Sequence, residues 1–472
     1  MESIYLSKKE KLKIIFLTIL IAAIFIRGLS LFASDNFHGI AAGKILQANK
    51  LAQNPYSLYN WIVPAHGPLH LYSLCILGKL FDNSFIAPRI LSLSMGILSL
   101  VVYYQYIKLW LDKETALVCF FCAAFFSLHI IHSVLTTAET MFLFLLFSGA
   151  VFFARYKKNE NINHLYVSAL LVGASSMCRF EGVIYGLIFS LFLIRSLKVW
   201  FRFICLLMLL PVIWLIFNYV LFGDFLFFLK ASDTVVQSAY NTLQVYGPNV
   251  TALKKIFYWP RVLKNYFGWP IFILGVTGFC FSLKDKKYKL FFSLLFGMLL
   301  VFIFKTARSE LAMQPRYGMS LGFFFLPFFA GTFKILLRKI SPSQAKCILA
   351  VFFLYIIFKG TYFTFIGLPH TPQWLKEAAK FLAVTINKES NEAIYVDCDD
   401  NNFKEPLKVY SRLEARTFVG YERLGGHTEL LEPQDVNRLR YIVLVSDKRN
   451  FKNLKLVFKS DKCKIYDFKN AD

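Results

Sequence analysis

The sequence predicts a polytopic α-helical membrane protein with a small α/β domain at its C-terminal end. Of its 472 residues 57% are apolar and 17% are charged, and the apolar residues form blocks of membrane-spanning length. The formal charge of +24 comes from short Lys and Arg clusters between these blocks. The positive-inside rule explains such clusters better than nucleic-acid binding does. After Pro369 the long apolar blocks stop, and shorter helix and strand patterns begin.

Eleven segments are predicted to be transmembrane helices, because a span needs about 20 mainly apolar residues. They lie near residues 14–32, 90–110, 116–134, 140–154, 165–178, 182–195, 203–222, 269–283, 290–306, 318–337 and 347–367. The stretch from Leu71 to Phe81 is also apolar, but it is short and contains Lys79. We expect it to form a helix along the membrane interface. Arg27 interrupts the first span near its outer end, where its side chain could extend to the headgroups.

The Lys and Arg clusters predict the orientation of the spans. With the N-terminus in the cytoplasm, nearly every short inner loop is basic, and an odd number of spans places the C-terminus outside. The expected domains are a transmembrane domain over residues 1–368, with a large outer loop at 33–89, and an extracytoplasmic α/β domain over 369–472. A composition rich in Lys, Phe and Asn favours the inner or plasma membrane of a prokaryote.

The C-terminal segment alternates helix and strand patterns. Gln373–Ile386 is predicted to be an amphipathic helix, and Ala393–Val396 and Tyr441–Val445 to be buried strands. Leu454–Phe458 and Lys464–Phe468 are predicted to form a hairpin. This alternation predicts a small α/β domain. Cys398 and Cys463 lie in it and could form a disulfide if the domain is extracytoplasmic.

The predicted topology brings ionisable residues that are distant in sequence to one face of the membrane. Ionisable groups near the apolar phase are costly, so they suggest a functional site. Asp35 is the first acid after the first span, where a carboxylate can meet a water-soluble group and a lipid-linked group together. The candidates at the outer face are Asp35, His38, Lys44, His66, His70, Arg89, Glu139, Arg179, Glu181, Lys305, Arg308, Glu310 and Arg316.

Several short motifs follow one another in a defined order along the chain. They are Asp35 after the first span, His66-Gly67-Pro68-Leu69-His70, Ala87-Pro88-Arg89, Thr137-Ala138-Glu139, Arg179-Phe180-Glu181-Gly182 and Gln314-Pro315-Arg316-Tyr317. This ordered set resembles the GT-C superfamily of glycosyltransferases, in particular the branch of protein O-mannosyltransferases and lipid A aminoarabinose transferases. Many relatives carry a second acid beside the first, whereas Asn36 follows Asp35 here. The sugar and the acceptor of any one relative therefore do not transfer to this chain.

The resemblance implies a membrane enzyme that moves a sugar from a polyprenyl-phosphate donor to an extracytoplasmic acceptor (a protein, lipid or glycan), with inversion. A positioned carboxylate contributes roughly 10²–10⁴-fold as a general base, and we expect Asp35 to have this role. Glu139 is expected to orient the acceptor or to bind a cation. Cations must stabilise the leaving lipid phosphate, and Arg suits bidentate contact with it. The substrate-binding candidates are Arg316 first, then Arg179, Lys305 and Arg89, with Tyr317 and His66.

A divalent cation is a further hypothesis for the same face, with His38, His66 and His70 as candidate ligands beside the two acids. Pro68 between His66 and His70 argues against one continuous helical face. No nucleotide-binding glycine fingerprint is visible. Each candidate could instead be an ordinary interfacial group. A secondary transporter, a ligase or polymerase of lipid-linked oligosaccharides, and a non-catalytic scaffold stay open as alternatives, although no inverted repeat supports the transporter.

Overall fold

The computed structural model shows an integral membrane protein built mainly of α-helices, with one small sheet near its C-terminal end. The structure describes residues 7–34, 67–81, 86–233, 251–369, 371–386, 392–397, 439–445, 454–460 and 463–467. It also describes residues 41, 43–45, 47, 48, 51, 407, 411, 418 and 419.

The N-terminal half of the described chain forms a helical bundle. Its helices are α1 (Lys8–Ala33), α2 (Pro68–Phe81), α3 (Ile86–Trp110), α4 (Lys113–Ala124), α5 (Ser127–Val134), α6 (Glu139–Asn159), α7 (Ile162–Ser176), α8 (Glu181–Leu191) and α9 (Leu197–Phe222). Helix α1 begins at a capping box formed by Ser7 and Glu10, which pairs backbone amides of the first turn that have no helical partner.

The helices continue through the second half and lead into the C-terminal domain. They are α10 (Ala252–Ile256), α11 (Tyr258–Phe267), α12 (Trp269–Ser282), α13 (Lys289–Ala307), α14 (Met319–Arg338), α15 (Pro342–Gly367) and α16 (Gln373–Thr385). Short 3-10 turns at Lys286–Tyr288 and Pro315–Gly318 precede α13 and α14. The strands are β1 (Ala393–Asp397), β2 (Phe418–Val419), β3 (Leu439–Val445), β4 (Lys455–Lys459) and β5 (Cys463–Asp467).

The eleven predicted spans all lie on helices of the structure, but one of them is broken. The segment predicted as 116–134 consists of α4 and α5, which meet at an angle of 59° around Phe125 and Phe126. Among the described residues, seven helices are long and apolar enough to cross a membrane, or eight if this bent pair forms one span. The count of eleven spans and the boundary between the two predicted domains stay predictions.

Helix α14 lies at the centre of the bundle. Its residues are buried without a gap from Met319 to Ala330, so other helices surround it on every side. Pro327 has no amide hydrogen to donate to the carbonyl of Phe323, and the Tyr103 hydroxyl donates to that carbonyl over 2.7 Å instead. The central position of α14 places the turn before it, Pro315–Gly318, at the middle of the bundle end.

Arg27 does not extend to the headgroups, as the sequence suggested, but lies inside the bundle with no exposed surface. Its guanidinium contacts α4 and α5. The end of α1 is held by Arg89, which donates to the carbonyls of Leu31 and Ser34 over 2.7 and 2.8 Å. Both arginines therefore join α1 to its neighbours.

The C-terminal segment contains a five-stranded mixed sheet of order β2-β1-β3-β5-β4. Strand β1 is parallel to β2 and β3, whereas β5 is antiparallel to β3 and β4. Helix α16 packs Leu375, Ala378 and Leu382 into one core with strand residues such as Ile394 and Val443. The predicted helix, both predicted strands and the predicted hairpin are confirmed. Cys398 lies outside the described residues, and the predicted outer location of this domain is not tested by the fold.

Candidate active site

Glu139 is the first residue of α6 and is 3% exposed. The chain reaches it from α5 through the turn 135–138, in which the Thr137 amide donates to the Leu135 carbonyl. A carboxylate in the first turn of a helix is stabilised by the positive end of the helix dipole. The predicted acid at the end of the third span is therefore a buried group at the N-terminal end of the next helix.

Arg179 lies in the turn between α7 and α8 and pairs with two carboxylates. Its Nη1 is 2.8 Å from Glu139 Oε1, and its Nη2 is 2.5 Å from Glu181 Oε1. The side chains of all three residues are less than one-fifth exposed. Because both carboxylates hold the guanidinium, its plane is fixed in one orientation.

Arg316 reaches the same carboxylate from the turn before α14. Its Nε is 3.6 Å from Glu139 Oε1, and its Nη2 donates to the Tyr317 hydroxyl over 3.2 Å. The Tyr317 ring also lies 4.6 Å from the Arg179 guanidinium and 5.0 Å from that of Arg316. Cation–π contacts of this kind hold both arginines beside one aromatic ring. We call Glu139, Arg179, Glu181, Arg316 and Tyr317 the charge cluster.

Two atoms of the charge cluster are buried and have no hydrogen-bond partner among the described residues. They are Glu139 Oε2 and Arg316 Nε. A buried polar atom without a partner is unfavourable and calls for an explanation in a native structure. One lies on a carboxylate and the other on a cation, so the arrangement fits a bound molecule that both donates and accepts hydrogen bonds.

Lys44 comes to the charge cluster from the predicted outer loop. It is buried, and burial lowers the pKa of its ammonium group to about 8, while Glu139 opposes this shift and Arg316 and Arg179 add to it. The Cys178 thiol also lies close enough to influence the pKa of Lys44. Three cations (Lys44, Arg179 and Arg316) meet two carboxylates (Glu139 and Glu181), so these five side chains carry a net charge of +1 with Lys44 protonated.

The N-terminal ends of three helices meet at the charge cluster. Glu139 and Glu181 are the first residues of α6 and α8, and Arg316 lies in the turn that leads into α14. Each helix presents the positive end of its dipole there, in addition to the cationic side chains. A site of this kind attracts anions, and phosphate above all.

Helix α2 docks on the turn that carries Arg179. The Leu69 amide donates to the Met177 carbonyl over 3.0 Å, and a Cβ atom at Gly67 would lie 2.1 Å from that carbonyl oxygen. Only glycine permits this approach, because the obstacle is backbone. The Gly-Pro junction of the sequence motif therefore serves to place α2 against the site. His70, from the first turn of α2, is buried.

The structure places the other predicted site residues differently. Arg89 donates to backbone carbonyls of Val134, Leu31 and Ser34, so it joins the end of α5 to the end of α1. Lys305 lies in the last turn of α13 and forms no ion pair with the described residues. Asp35, His38 and His66 lie outside the described residues. Their predicted roles as base, ligand and substrate contact are therefore not tested.

His132 belongs to the surroundings of the charge cluster, although the sequence analysis did not select it. It is 6% exposed, its ring lies close enough to Glu139 to influence the carboxylate, and its Nδ1 is 3.0 Å from Thr137 Oγ1. An imidazole in an apolar span, seven residues before the predicted acid, was the available signal. No group of three metal-ligating side chains occurs among the residues that the structure describes.

Residues 65–222 match the family model described as dolichyl-phosphate-mannose-protein mannosyltransferase. The matched segment includes Arg89, Glu139 and Arg179. No curated protein sequence matches the chain.

Solved structures match nearly the whole chain. ArnT from Cupriavidus metallidurans, bound to undecaprenyl phosphate, superposes with a TM-score of 0.68 over 96% of this chain and 97% of that chain, at 11% identity. The chain has a GT-C fold. The oligosaccharyltransferase of Archaeoglobus fulgidus, in complex with Zn and sulfate, matches with a TM-score of 0.59 over 90% of this chain and 67% of that chain, at 12% identity. The oligosaccharyltransferase AglB from the same archaeon, with an inhibitory peptide and a dolichol-phosphate, matches with a TM-score of 0.55 over 90% of this chain and 69% of that chain, also at 12% identity.

These comparisons confirm the resemblance to the GT-C superfamily and to its mannosyltransferase and ArnT branch. The family match covers about a third of the chain, residues 65–222, from just before Gly67 to the end of α9. Arg316 and Tyr317 lie beyond it, so the place of these two residues in the charge cluster rests on the geometry of this chain alone.

Proposed function

We propose that this GT-C protein transfers a sugar from a polyprenyl-phosphate donor to an acceptor on the outer face of a membrane. The observation that carries the proposal is the buried charge cluster at the meeting point of three helix N-termini. With Lys44 it holds an excess of positive charge and a buried donor, Arg316 Nε, that forms no hydrogen bond with the described residues. A phosphate ester on a lipid carrier supplies the matching negative charge, and its sugar supplies hydroxyl groups.

The reaction needs a base, a leaving group and a fixed line of attack. The acceptor O–H or N–H group loses its proton as its oxygen or nitrogen bonds to the anomeric carbon of the sugar. The bond from that carbon to the phosphate oxygen breaks, and the lipid phosphate leaves with the electron pair. Arg316, Arg179 and Lys44 stabilise the charge that develops on this phosphate, where the scarcity of water strengthens their effect.

We assign the base to Asp35 and an orienting role to Glu139. Glu139 Oε1 already receives two guanidinium groups, so this carboxylate holds the cations in position. Its Oε2 is a buried acceptor that receives no hydrogen bond from the described residues, and it suits a hydroxyl group of the sugar or of the acceptor. Arg89 donates to the carbonyl of Ser34, the residue that precedes the proposed base in the sequence.

The proposal includes the predicted orientation, with a cytoplasmic N-terminus and the charge cluster and C-terminal domain on the outer face of a prokaryotic membrane. ArnT and AglB were solved with polyprenyl and dolichol phosphates, which supports a lipid-phosphate donor for the shared fold. The sugar and the acceptor follow from neither comparison. A divalent cation at His38, His66 and His70 stays a separate hypothesis, and chelation of the purified protein tests it.

A ligase that takes an oligosaccharide from a lipid diphosphate is the second candidate. The likeness to an archaeal oligosaccharyltransferase supports it, and the same cations would suit a diphosphate. The two functions differ in the donor, so a donor panel distinguishes them.

The test is sugar transfer by the purified protein in lipid nanodiscs. Monosaccharides labelled on polyprenyl monophosphate and oligosaccharides on polyprenyl diphosphate are supplied with a panel of protein, lipid and glycan acceptors. We expect turnover of a monophosphate donor by the wild type and none by Asp35→Asn, which should still bind polyprenyl phosphate. Arg316→Met should instead weaken that binding. Turnover of diphosphate donors alone would replace this proposal by the ligase, and equal turnover by Asp35→Asn would remove Asp35 from catalysis.

A further inference from the structure

A second polar network lies inside the bundle, away from the charge cluster, and Arg27 is its centre. Arg27 Nη1 donates to the carbonyls of Ala23 and Ala124 over 3.0 and 2.9 Å. Its Nε is 3.3 Å from Ser133 Oγ, and its Nη2 is 2.7 Å from His129 Nδ1. No carboxylate pairs with Arg27 among the described residues. An arginine buried in a membrane protein without an acid is costly, so its position requires an explanation.

The donors and acceptors of this network determine the protonation state and the tautomer of His129. A guanidinium has only donors, so His129 Nδ1 must accept its hydrogen bond and carries no proton. Ser99 Oγ donates to the Gly96 carbonyl and therefore accepts from His129 Nε2 at 2.9 Å. His129 is thus neutral, with its proton on Nε2. Ser133 Oγ completes the network, because it accepts from Arg27 and donates to the His129 carbonyl over 2.6 Å.

The network lies at the break between α4 and α5. A continuous helix would pair its own carbonyl groups, whereas a break inside a membrane leaves some of them without a helical partner. Arg27 donates to the carbonyl of Ala124, the last residue of α4, and binds His129 and Ser133 in α5. It therefore contacts both sides of the 59° bend from a third helix.

The bend directs α5 towards the charge cluster. All eight residues of α5 are buried, and the turn that follows Val134 leads within five residues to Glu139. The Val134 carbonyl accepts from Arg89, which also binds the end of α1. Helix α5, which carries His132 and leads to Glu139, is thus bound along its length by Arg27 and at its C-terminal end by Arg89.

We propose that Arg27 is a positioning residue for the reaction: through His129 and the Ala124 carbonyl it holds the direction of α5, and thereby the place of Glu139 in the charge cluster. The catalytic part of this inference rests on the proposed function. The structural part, that Arg27 and His129 lock the bend, stands independently of it and has its own measurement.

The experiment compares Arg27→Met and His129→Phe with His129→Asn and Arg202→Met in nanodiscs. Phe keeps the ring that packs on Phe323 but removes the acceptor, whereas Asn keeps an acceptor at the position of Nδ1. Arg202 is exposed and serves as the control. Hydrogen exchange followed by mass spectrometry reports the opening of residues 125–135. Steady-state transfer assays report kcat and the KM for the donor.

We expect Arg27→Met and His129→Phe to accelerate exchange in residues 125–135, while exchange in α9 and α13 stays at the wild-type rate. Misplacement of Glu139 should lower kcat by about tenfold or more, because small displacements of reacting groups are costly in rate. The KM for the donor should change less, since Lys44 and Arg179 still hold the phosphate. His129→Asn should restore both readouts towards the wild type, and Arg202→Met should alter neither.

Three results would overturn the proposal. Unchanged exchange in residues 125–135 of a folded His129→Phe protein would show that the network does not lock the bend. Equal acceleration of hydrogen exchange throughout the protein would show that the network stabilises the whole fold and not the bend in particular. Faster exchange in residues 125–135 with an unchanged kcat would show that the bend does not affect the reaction. If the wild type itself transfers no sugar, the proposed function fails, while the exchange data still decide whether Arg27 and His129 lock the bend.

Discussion

Arg179 donates to the carboxylate of Glu139 over 2.8 Å and so joins two turns that are 40 residues apart in the sequence. The side chains are 12% and 4% exposed, so little water competes with the pair. Arg316 approaches the same oxygen from a third turn. Glu139 is therefore the common partner of both arginines, and its charge is what allows two guanidinium groups to lie beside one tyrosine ring.

Replacing Glu139 by Gln should destabilise the folded protein, because the change leaves two buried arginines facing a neutral amide. Removing one partner of a buried pair costs about 3–5 kcal/mol in free energy of unfolding. Denaturant unfolding in micelles measures this. The exposed pair of Arg308 and Glu310 provides the control, since loss of an exposed pair costs about 1 kcal/mol or less. Equal effects of Glu139→Gln and Glu310→Gln would contradict the central role of Glu139.

Replacing Arg316 should impair donor binding more than it impairs folding. Arg316→Met removes the cation whose Nε forms no hydrogen bond with the described residues. We expect the donor KM to rise about tenfold or more, as for the loss of a charged hydrogen bond to phosphate. Arg316→Lys keeps the charge but loses the planar fork, so an intermediate KM is expected. Arg308→Met, at an exposed arginine, should leave the KM unchanged. A KM for Arg316→Met within twofold of the wild type would remove Arg316 from the phosphate site.

The pH dependence of the reaction should have an alkaline limb that Lys44 causes. Burial lowers the pKa of Lys44 from 10.5 to about 8, so the ammonium is present below pH 8 and is lost above it. If Lys44 holds the donor phosphate, kcat/KM should fall as the pH rises through about 8, because kcat/KM reports the free enzyme. Lys44→Arg should move this limb to higher pH. An unchanged limb in Lys44→Arg would assign it to another group.

The lowered pKa of Lys44 affects the free energy of unfolding in the opposite direction to kcat/KM. Between pH 8 and 10.5 the unfolded chain still binds the proton, whereas the folded chain has released it. The free energy of unfolding should therefore rise with pH in this window, since the unfolded state binds more protons. Lys44→Met, which does not titrate at this position, should lose this contribution. Unfolding curves at pH 7.5 and 10 compare the two proteins.

A methyl group at Gly67 should displace α2 from the turn that carries Arg179. The new Cβ would lie 2.1 Å from the Met177 carbonyl oxygen, and neither backbone can give way locally. Overpacking of this kind costs about 1–3 kcal/mol, and we expect transfer activity to fall with it. Gly28→Ala is the matched control, because nothing lies within 4 Å of a Cβ there. If Gly67→Ala is as active as Gly28→Ala, the close approach of Gly67 to the Met177 carbonyl is not required to place α2.

The sequence contained enough information for the helices and for the nature of the C-terminal segment. Apolar blocks of spanning length are a local property, so they predicted helices where α1, α3 and α15 occur. Alternating patterns likewise predicted the β4–β5 hairpin. The sequence also selected Glu139, Arg179 and Arg316 as candidates, because ionisable groups near the apolar phase are costly, and Tyr317 followed from the Arg-Tyr motif of the resemblance. The structure brings these four residues together, and their roles stay predictions.

Tertiary packing decided which charged residues join the charge cluster and which bind backbone carbonyls. The partners lie on different helices and are separated in the sequence by tens to hundreds of residues. By sequence alone Arg89 and Arg316 are both arginines at span ends, yet Arg89 binds backbone carbonyls while Arg316 faces Glu139. The break at Phe125 is equally hidden, since neither proline nor glycine marks it in residues 116–134. At this break the carbonyl of Ala124 accepts a hydrogen bond from Arg27 on another helix, a partner that the local sequence does not reveal.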